Sequence, residues 1–195
     1  VGATPGQGGL HAGQMLGGAL KAVVLLNTEP AHDSAAGSSG LAHADMVVTL
    51  SPFKSNMDVS DVLLPIAPFT ETSGSFVNAE GRLQSFHAVV RPLGETRPAW
   101  KVLRVLGNLL GLAGFDADSS QAVLANALPG VVAGSTVDAT RLSNACSVSI
   151  DLAPASAQPC VASIYQLDGL VRRATSLQLT SDARAASVQT EGVHA

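Results

Sequence analysis

The chain has 195 residues, of which 46% are hydrophobic and only 13% charged, with a formal net charge of -4. That apolar content is enough to offset the entropy of ordering and points to a packed α/β chain of one domain, or one and a half, rather than to disorder. Apart from Arg172-Arg173, lysines and arginines are scattered singly, which leaves no groove able to track nucleic-acid phosphates. No stretch approaches the ~20 consecutive apolar residues that a membrane-spanning helix requires.

The opening segment, Val1 to Gly18, is glycine-rich and interrupted by Pro5 and His11. It lacks the basic start and apolar core of a secretory signal. The first residue is Val rather than Met, and the chain reads as a piece of a longer one. Gly6-x-Gly8 tempts a phosphate-loop reading, but His11 stands where a dinucleotide fingerprint wants Gly or Ala, and no Gly-Lys-Ser/Thr follows. A flexible loop is the better expectation.

Lys21-Ala22-Val23-Val24-Leu25-Leu26-Asn27 is a nearly continuous apolar run, the pattern of a strand buried on both faces in a parallel sheet. Ala31 to Ala44 reads as loop plus a short, weak helix. Asp45-Met46-Val47-Val48-Thr49-Leu50 repeats the buried-strand pattern, Ser51 to Ser60 crosses over, and Asp61-Val62-Leu63-Leu64-Pro65 predicts a third strand closed by proline. Strands alternating with crossovers predict an α/β fold with a Rossmann-like parallel sheet. Ligand sites in such sheets lie at the carboxyl ends of the strands, here Asn27-Thr28-Glu29-Pro30, Ser51-Pro52-Phe53 and Pro65-Ile66-Ala67-Pro68.

A hairpin is predicted next. Ser75-Phe76-Val77-Asn78 and Arg82-Leu83-Gln84-Ser85-Phe86 flank Ala79-Glu80-Gly81, and Asn and Gly tolerate the positive φ that short hairpin loops require. Phe76 and Phe86 are its expected apolar anchors. From Pro98, residues Val102, Leu103, Val105, Leu106, Leu109 and Leu110 recur at helical spacing, with proline suited to the first turn and Gly111 to the carboxyl cap. Ser119 to Leu128 predicts a short helix capped by Asp118 or Ser119. Beyond Pro129 the composition shifts to Ala, Ser, Val and Thr. The expected division is therefore an α/β domain over 1–128 and, over 129–195, a loosely structured Ala/Ser-rich linker with the start of a C-terminal region.

Residues for chemistry are few. Cys146 and Cys160 have no metal-ligand spacing and read as reduced thiols, a disulfide being the lesser alternative, and they could not hold an iron–sulfur cluster, which generally takes four cysteines. His32-Asp33 and His43-x-Asp45 straddle a glycine-rich segment and make a poor metal set. Glu71 and Glu80 are conceivable paired carboxylates. Their expected roles are structural, Glu80 and Arg82 as charges beside the turn and Glu71 capping or pairing nearby. Ser73-Gly74-Ser75 lacks the nucleophile elbow.

The series Glu71-Thr72-Ser73-Gly74-Ser75-Phe76-Val77-Asn78-Ala79-Glu80-Gly81-Arg82-Leu83-Gln84, followed by Pro92-Leu93-Gly94-Glu95-Thr96-Arg97-Pro98-Ala99-Trp100, resembles the signature of the molybdopterin-oxidoreductase superfamily. The form with Asn78-Ala79-Glu80-Gly81-Arg82 and the stretch from Gly94 to Leu112 is most similar to the large iron–sulfur subunit of bacterial NADH:quinone oxidoreductase, respiratory complex I. The resemblance is close from Lys21 to Phe115. It is weaker at Gly8 to Gly13 and over Ile164 to Ala183, where Ile164-Tyr165, Asp168 and Val171-Arg172-Arg173 resemble the lead into that protein's C-terminal barrel. A formate dehydrogenase-like molybdenum enzyme and an independent binding module are the alternatives.

This resemblance implies a structural part of an enzyme that passes electrons from NADH through iron–sulfur clusters to quinone. Partners would be other subunits of the complex's peripheral arm, on the cytoplasmic side of the inner membrane. No catalytic, cofactor or metal ligand is expected in this segment, since the family's clusters lie in an N-terminal region and molybdopterin is not expected. The residues singled out, Glu71, Gly74, Phe76, Asn78, Glu80, Gly81, Arg82, Gln84 and Phe86, form a structural motif. In molybdenum-containing relatives the strand-end loops would approach a pterin dinucleotide.

Overall fold

The structure, a computed structural model, describes residues 9–18, 20–34, 37–131, 134–135 and 163–185. Cys146, Cys160 and most of the predicted linker lie outside the described residues. Three parallel strands, β1 (Ala22–Leu26), β2 (Met46–Ser51) and β3 (Val62–Pro65), form one sheet in the order β1-β2-β3. Val24 pairs with Val48 and Val48 with Val62, so the strands advance in register and end together. This is the predicted parallel sheet.

Because side chains alternate across a strand, the sheet has two apolar faces. One carries Val23, Leu25 and Val47, which pack with Leu16 and Leu41 into a small core. Leu16 follows helix α1 (Ala12–Met15), and Leu41 lies in a 3-10 turn over Ser39–His43. The chain passes so close there that a Cβ on Gly40 would overlap the carbonyl of Leu16, and glycine is required. His11, which spoils the dinucleotide fingerprint, instead caps α1: its Nδ1 accepts from the Gln14 amide while the Gln14 side chain accepts from the His11 amide.

The opposite face does not follow the sequence reading. Val24 is 50% exposed, Leu26 43%, Met46 49% and Val62 39%, and only Leu50 on that face is fully buried. Burial on both faces, predicted from the apolar runs, therefore holds for one face alone. Apolar runs of this kind suit a strand covered on both faces, yet Val24, Leu26, Met46 and Val62 of the second face stay exposed around the buried Leu50.

The β2–β3 crossover contains no helix. A buried polar network ties it down instead. Ser51 Oγ accepts from the Phe53 amide at 3.1 Å and from Ser55 Oγ at 2.9 Å, and Asn56 donates to the Thr28 carbonyl at 2.9 Å. Asp61 then pins β3, its carboxylate accepting the Val47 amide at 2.7 Å.

A separate antiparallel hairpin pairs β4 (Gly74–Val77) with β5 (Leu83–Phe86). Helix α3 (Ala99–Leu109) follows Pro98 and ends in a Schellman motif, with Gly111 at φ 67°, its amide on the Asn108 carbonyl and the Leu112 amide on Gly107. Phe115 folds back onto α3 at Gly107, where any Cβ would overlap the ring. Helix α4 (Ser120–Ala127) is capped by Ser119, whose hydroxyl accepts the Ala122 amide. The short helix α5 (Gly169–Arg173) returns to the carboxyl ends of the strands, where it meets Glu29, and α6 (Thr175–Gln178) packs on it. The turn α2 (Pro30–Asp33) begins just beyond β1.

Candidate functional site at the carboxyl ends of the strands

A crevice of about 330 Å³ opens where an open α/β sheet places its ligand site. Its walls come from all three predicted strand-end loops (Glu29, Ser51, Phe53, Pro68) and from α5 (Asp168, Arg172). Asn27 turns the chain out of β1 in a left-handed conformation, φ 49°, which asparagine adopts more readily than most residues.

Within the crevice α5 is clasped to the sheet. Arg173 meets both oxygens of Glu29, at 2.9 and 3.1 Å, in a fork-to-fork pair. Arg172, whose side chain is 7% exposed, lies 3.4 Å from Glu29 and 3.1 Å from Asp33, and donates to the Gln166 carbonyl. The other oxygen of Asp33 accepts from the Glu29 amide at 2.7 Å and from Thr28 Oγ1 at 3.2 Å. The Arg173 guanidinium also stacks over the Phe53 ring, 4.2 Å from its centroid. Gln178 braces the far side by donating to the Tyr165 and Val171 carbonyls.

Partial burial pushes the Glu29 carboxyl up, but the Arg173 and Arg172 guanidinium groups outweigh it and hold the group below its ordinary range. For Asp33 burial again pushes upward. The Glu29 amide, Arg172 and Thr28 together prevail and lower it. Both carboxylates are thus held ionised by partners in the same clasp.

A pterin dinucleotide carries a pyrophosphate, which needs free amide or guanidinium donors. The crevice presents the carboxylates of Glu29, Asp33 and Asp168, while its one lining guanidinium, Arg172, is already shared between two of them. The first amides of α5 are taken as well, because Asp168 accepts from Leu170 and Val171. Carboxylates at strand ends can accept from ribose hydroxyls, but Glu29 and Asp33 are spent on Arg173, Arg172, Thr28 and the Glu29 amide. Among the described residues the buried Arg172 Nε is the donor left without a partner, and one guanidinium nitrogen held among carboxylates does not fit a pyrophosphate.

The motif residues singled out in the sequence lie elsewhere, on the hairpin. Asn78 organises its turn through its side chain and not through positive φ: Oδ1 accepts from the amides of Glu80 and Arg82, while Gly81 alone takes φ 79°. Phe76 and Phe86 stack with centroids 5.5 Å apart, but Phe76 is 70% exposed. Of the two expected apolar anchors, Phe76 is thus largely exposed and Phe86 half-buried. Leu83, 1% exposed, is the buried apolar side chain of the hairpin, and its amide and carbonyl bond to Ser135 and Gly134. The Phe86 ring lies over Gly74, where a Cβ would collide with it. Ser75 and Ser85 bond across the strands at 2.8 Å, and Gln84 is exposed opposite Phe76. Glu80 and Arg82 are exposed beside the turn, whereas Glu71 accepts the Leu93 amide at 2.8 Å. The two glutamates do not converge on one ligand position.

Among the described residues no group of three His, Cys, Asp or Glu side chains is placed to hold a metal, and Asp33 belongs to the clasp rather than to a set with His43 and Asp45. No helix there is long and apolar enough to cross a membrane. The clasp residues Glu29, Asp33, Arg172 and Arg173 escaped sequence reasoning because no local spacing relates positions so far apart. The consecutive arginines opposite a strand-end Glu were the available signal.

The parallel sheet with its strand-end crevice and the hairpin that follows define an open α/β domain. The family model for molybdopterin oxidoreductases matches residues 1–109, more than half of the chain, and the chain belongs to that family. Over 52 residues it is 42% identical to a Staphylococcus aureus protein (strain bovine RF122 / ET3-1) named "Putative formate dehydrogenase". That stretch is 27% of this chain and 5% of the relative. A protein of the same name from strain USA300 is 40% identical over 52 residues, again 5% of its length. The matched stretch is therefore a small part of these relatives.

Proposed function

We propose that the chain is a structural, non-catalytic segment of a molybdopterin-family oxidoreductase, in the role that the large iron–sulfur subunit of NADH:quinone oxidoreductase assigns to this fold. The observation that carries this reading is the clasp. Glu29 and Asp33 face Arg172 and Arg173 at the strand ends, so the crevice is closed by its own ion pairs and offers little to a pyrophosphate. The sequence Ala79-Glu80-Gly81-Arg82 and the stretch from Gly94 to Leu112 support this assignment. Its partners would then be other subunits of the complex, and electrons would pass through clusters held outside this segment.

A second reading, a segment of a formate dehydrogenase-like molybdenum enzyme, is favoured by the 42% identity over 52 residues. The relatives speak for it more directly than for the first. Isolation of the chain with its native partners separates the two. The first reading expects NADH-dependent quinone reduction and no molybdenum or extractable pterin, whereas near-stoichiometric molybdenum with pterin and formate oxidation would replace it with the second.

A further inference from the structure

A second cavity, about 410 Å³, lies between the loop 88–94 and the start of α3, away from the clasp. It is lined by Arg91, Arg97 and Lys101, so three of the chain's 11 basic residues meet at one place in a molecule of net charge -4. Their charges are little used. Arg91 has no partner among the described residues, Lys101 reaches only the neighbouring Trp100 ring at 5.4 Å, and Arg97 donates to the neighbouring Thr96 carbonyl at 2.9 Å and otherwise has a long 3.7 Å contact to the exposed Glu95, so no carboxylate closely neutralises any of the three. Glu71, the one carboxylate in the lining, is spent on the Leu93 amide.

The adjoining loop is apolar and exposed, with Val89 at 83%, Val90 at 55% and Leu93 at 78%. It is also held in place, since the Val89 and Val90 amides both donate to the Thr70 carbonyl and Leu93 to Glu71. A pinned loop loses little freedom on binding, which favours association. Cations beside exposed aliphatic side chains complement an acidic segment carrying apolar residues, not a small anion, which would use only the cations.

We propose that this surface docks an acidic, apolar-containing segment of a partner polypeptide. The inference rests on this surface alone, whichever oxidoreductase the chain serves. To test it, a random peptide library is panned on the full chain, with counter-selection on Arg91→Glu/Lys101→Glu. The expected peptides combine Asp or Glu with Leu, Ile, Val or Phe, bind the double variant roughly tenfold or more weakly and weaken with salt. They also lose several-fold on Val90→Ser/Leu93→Ser. Because these side chains are exposed, both variants should keep the parental melting temperature, and Arg91→Gln or Leu93→Ser alone replaces any that does not. Recovery of no selective peptide, recovery of basic or purely apolar peptides, equal binding to both variants, or full displacement by millimolar inorganic phosphate would each overturn the proposal.

Discussion

Leu83 and Phe76 show how far a residue's weight depends on where the fold puts it. Leu83 is buried beside the turn of the hairpin, so Leu83→Ala should cost about 2–5 kcal/mol, read as a fall in the denaturation midpoint. Phe76 keeps only its stack on Phe86, and Phe76→Ala should cost no more than about 0.5–1.5 kcal/mol in the same measurement. Gly107 makes the opposite point. Alanine is the better helix former by about 1 kcal/mol, but its methyl would have to displace the Phe115 ring, an overpacking cost of about 1–3 kcal/mol. Gly107→Ala should therefore lower the melting temperature despite the gain in helix propensity.

At the scale of elements, α5 stays on the sheet through charge. Replacing Arg172 by Ala removes hydrogen bonds to Asp33 and the Gln166 carbonyl, and leaves Glu29 with Arg173. The opening free energy of α5, followed by amide exchange at Val171 to Arg173, should fall by roughly 1.5–3 kcal/mol. The same exchange should respond to acid. Glu29 and Asp33 are lowered from ordinary values of 4.5 and 3.8, so the detached state binds protons more readily than the clasped one. Clasp stability is then full above those ordinary values and is lost as pH falls through the lowered ones, with little change between pH 5 and 7. Exchange that instead quickened on moving from pH 5 toward 7, after correction for the intrinsic rate, would contradict this assignment of charge.

For the whole molecule, the exposed part of the second sheet face dominates. Val24, Leu26, Met46 and Val62 form an apolar surface, with β1 and β3 as the edges of the sheet among the described residues. The isolated chain should self-associate with rising concentration, seen by sedimentation or light scattering. Val24→Lys and Leu26→Lys together should reduce that association and leave the melting temperature nearly unchanged, because neither side chain is buried.

Local sequence was enough for the elements whose causes are local. The three strands follow from apolar runs ended by Asn27, Ser51 and Pro65, α3 from its periodicity between Pro98 and Gly111, and α4 from the Ser119 cap. The hairpin's position was legible from Asn78 and Gly81, although Asn78 acts through its carbonyl oxygen. Family membership was legible in the stretch from Glu71 to Trp100. Only the tertiary structure decided which sheet face is covered, because alternating Val and Leu look the same on either side. It alone brought Arg172 and Arg173 to Glu29 and Asp33, nearly 140 residues away and more. Ion pairs over such a separation leave no periodicity in the chain; they arise when β1 ends, α5 returns and two carboxylates meet two guanidinium groups at the mouth of the sheet.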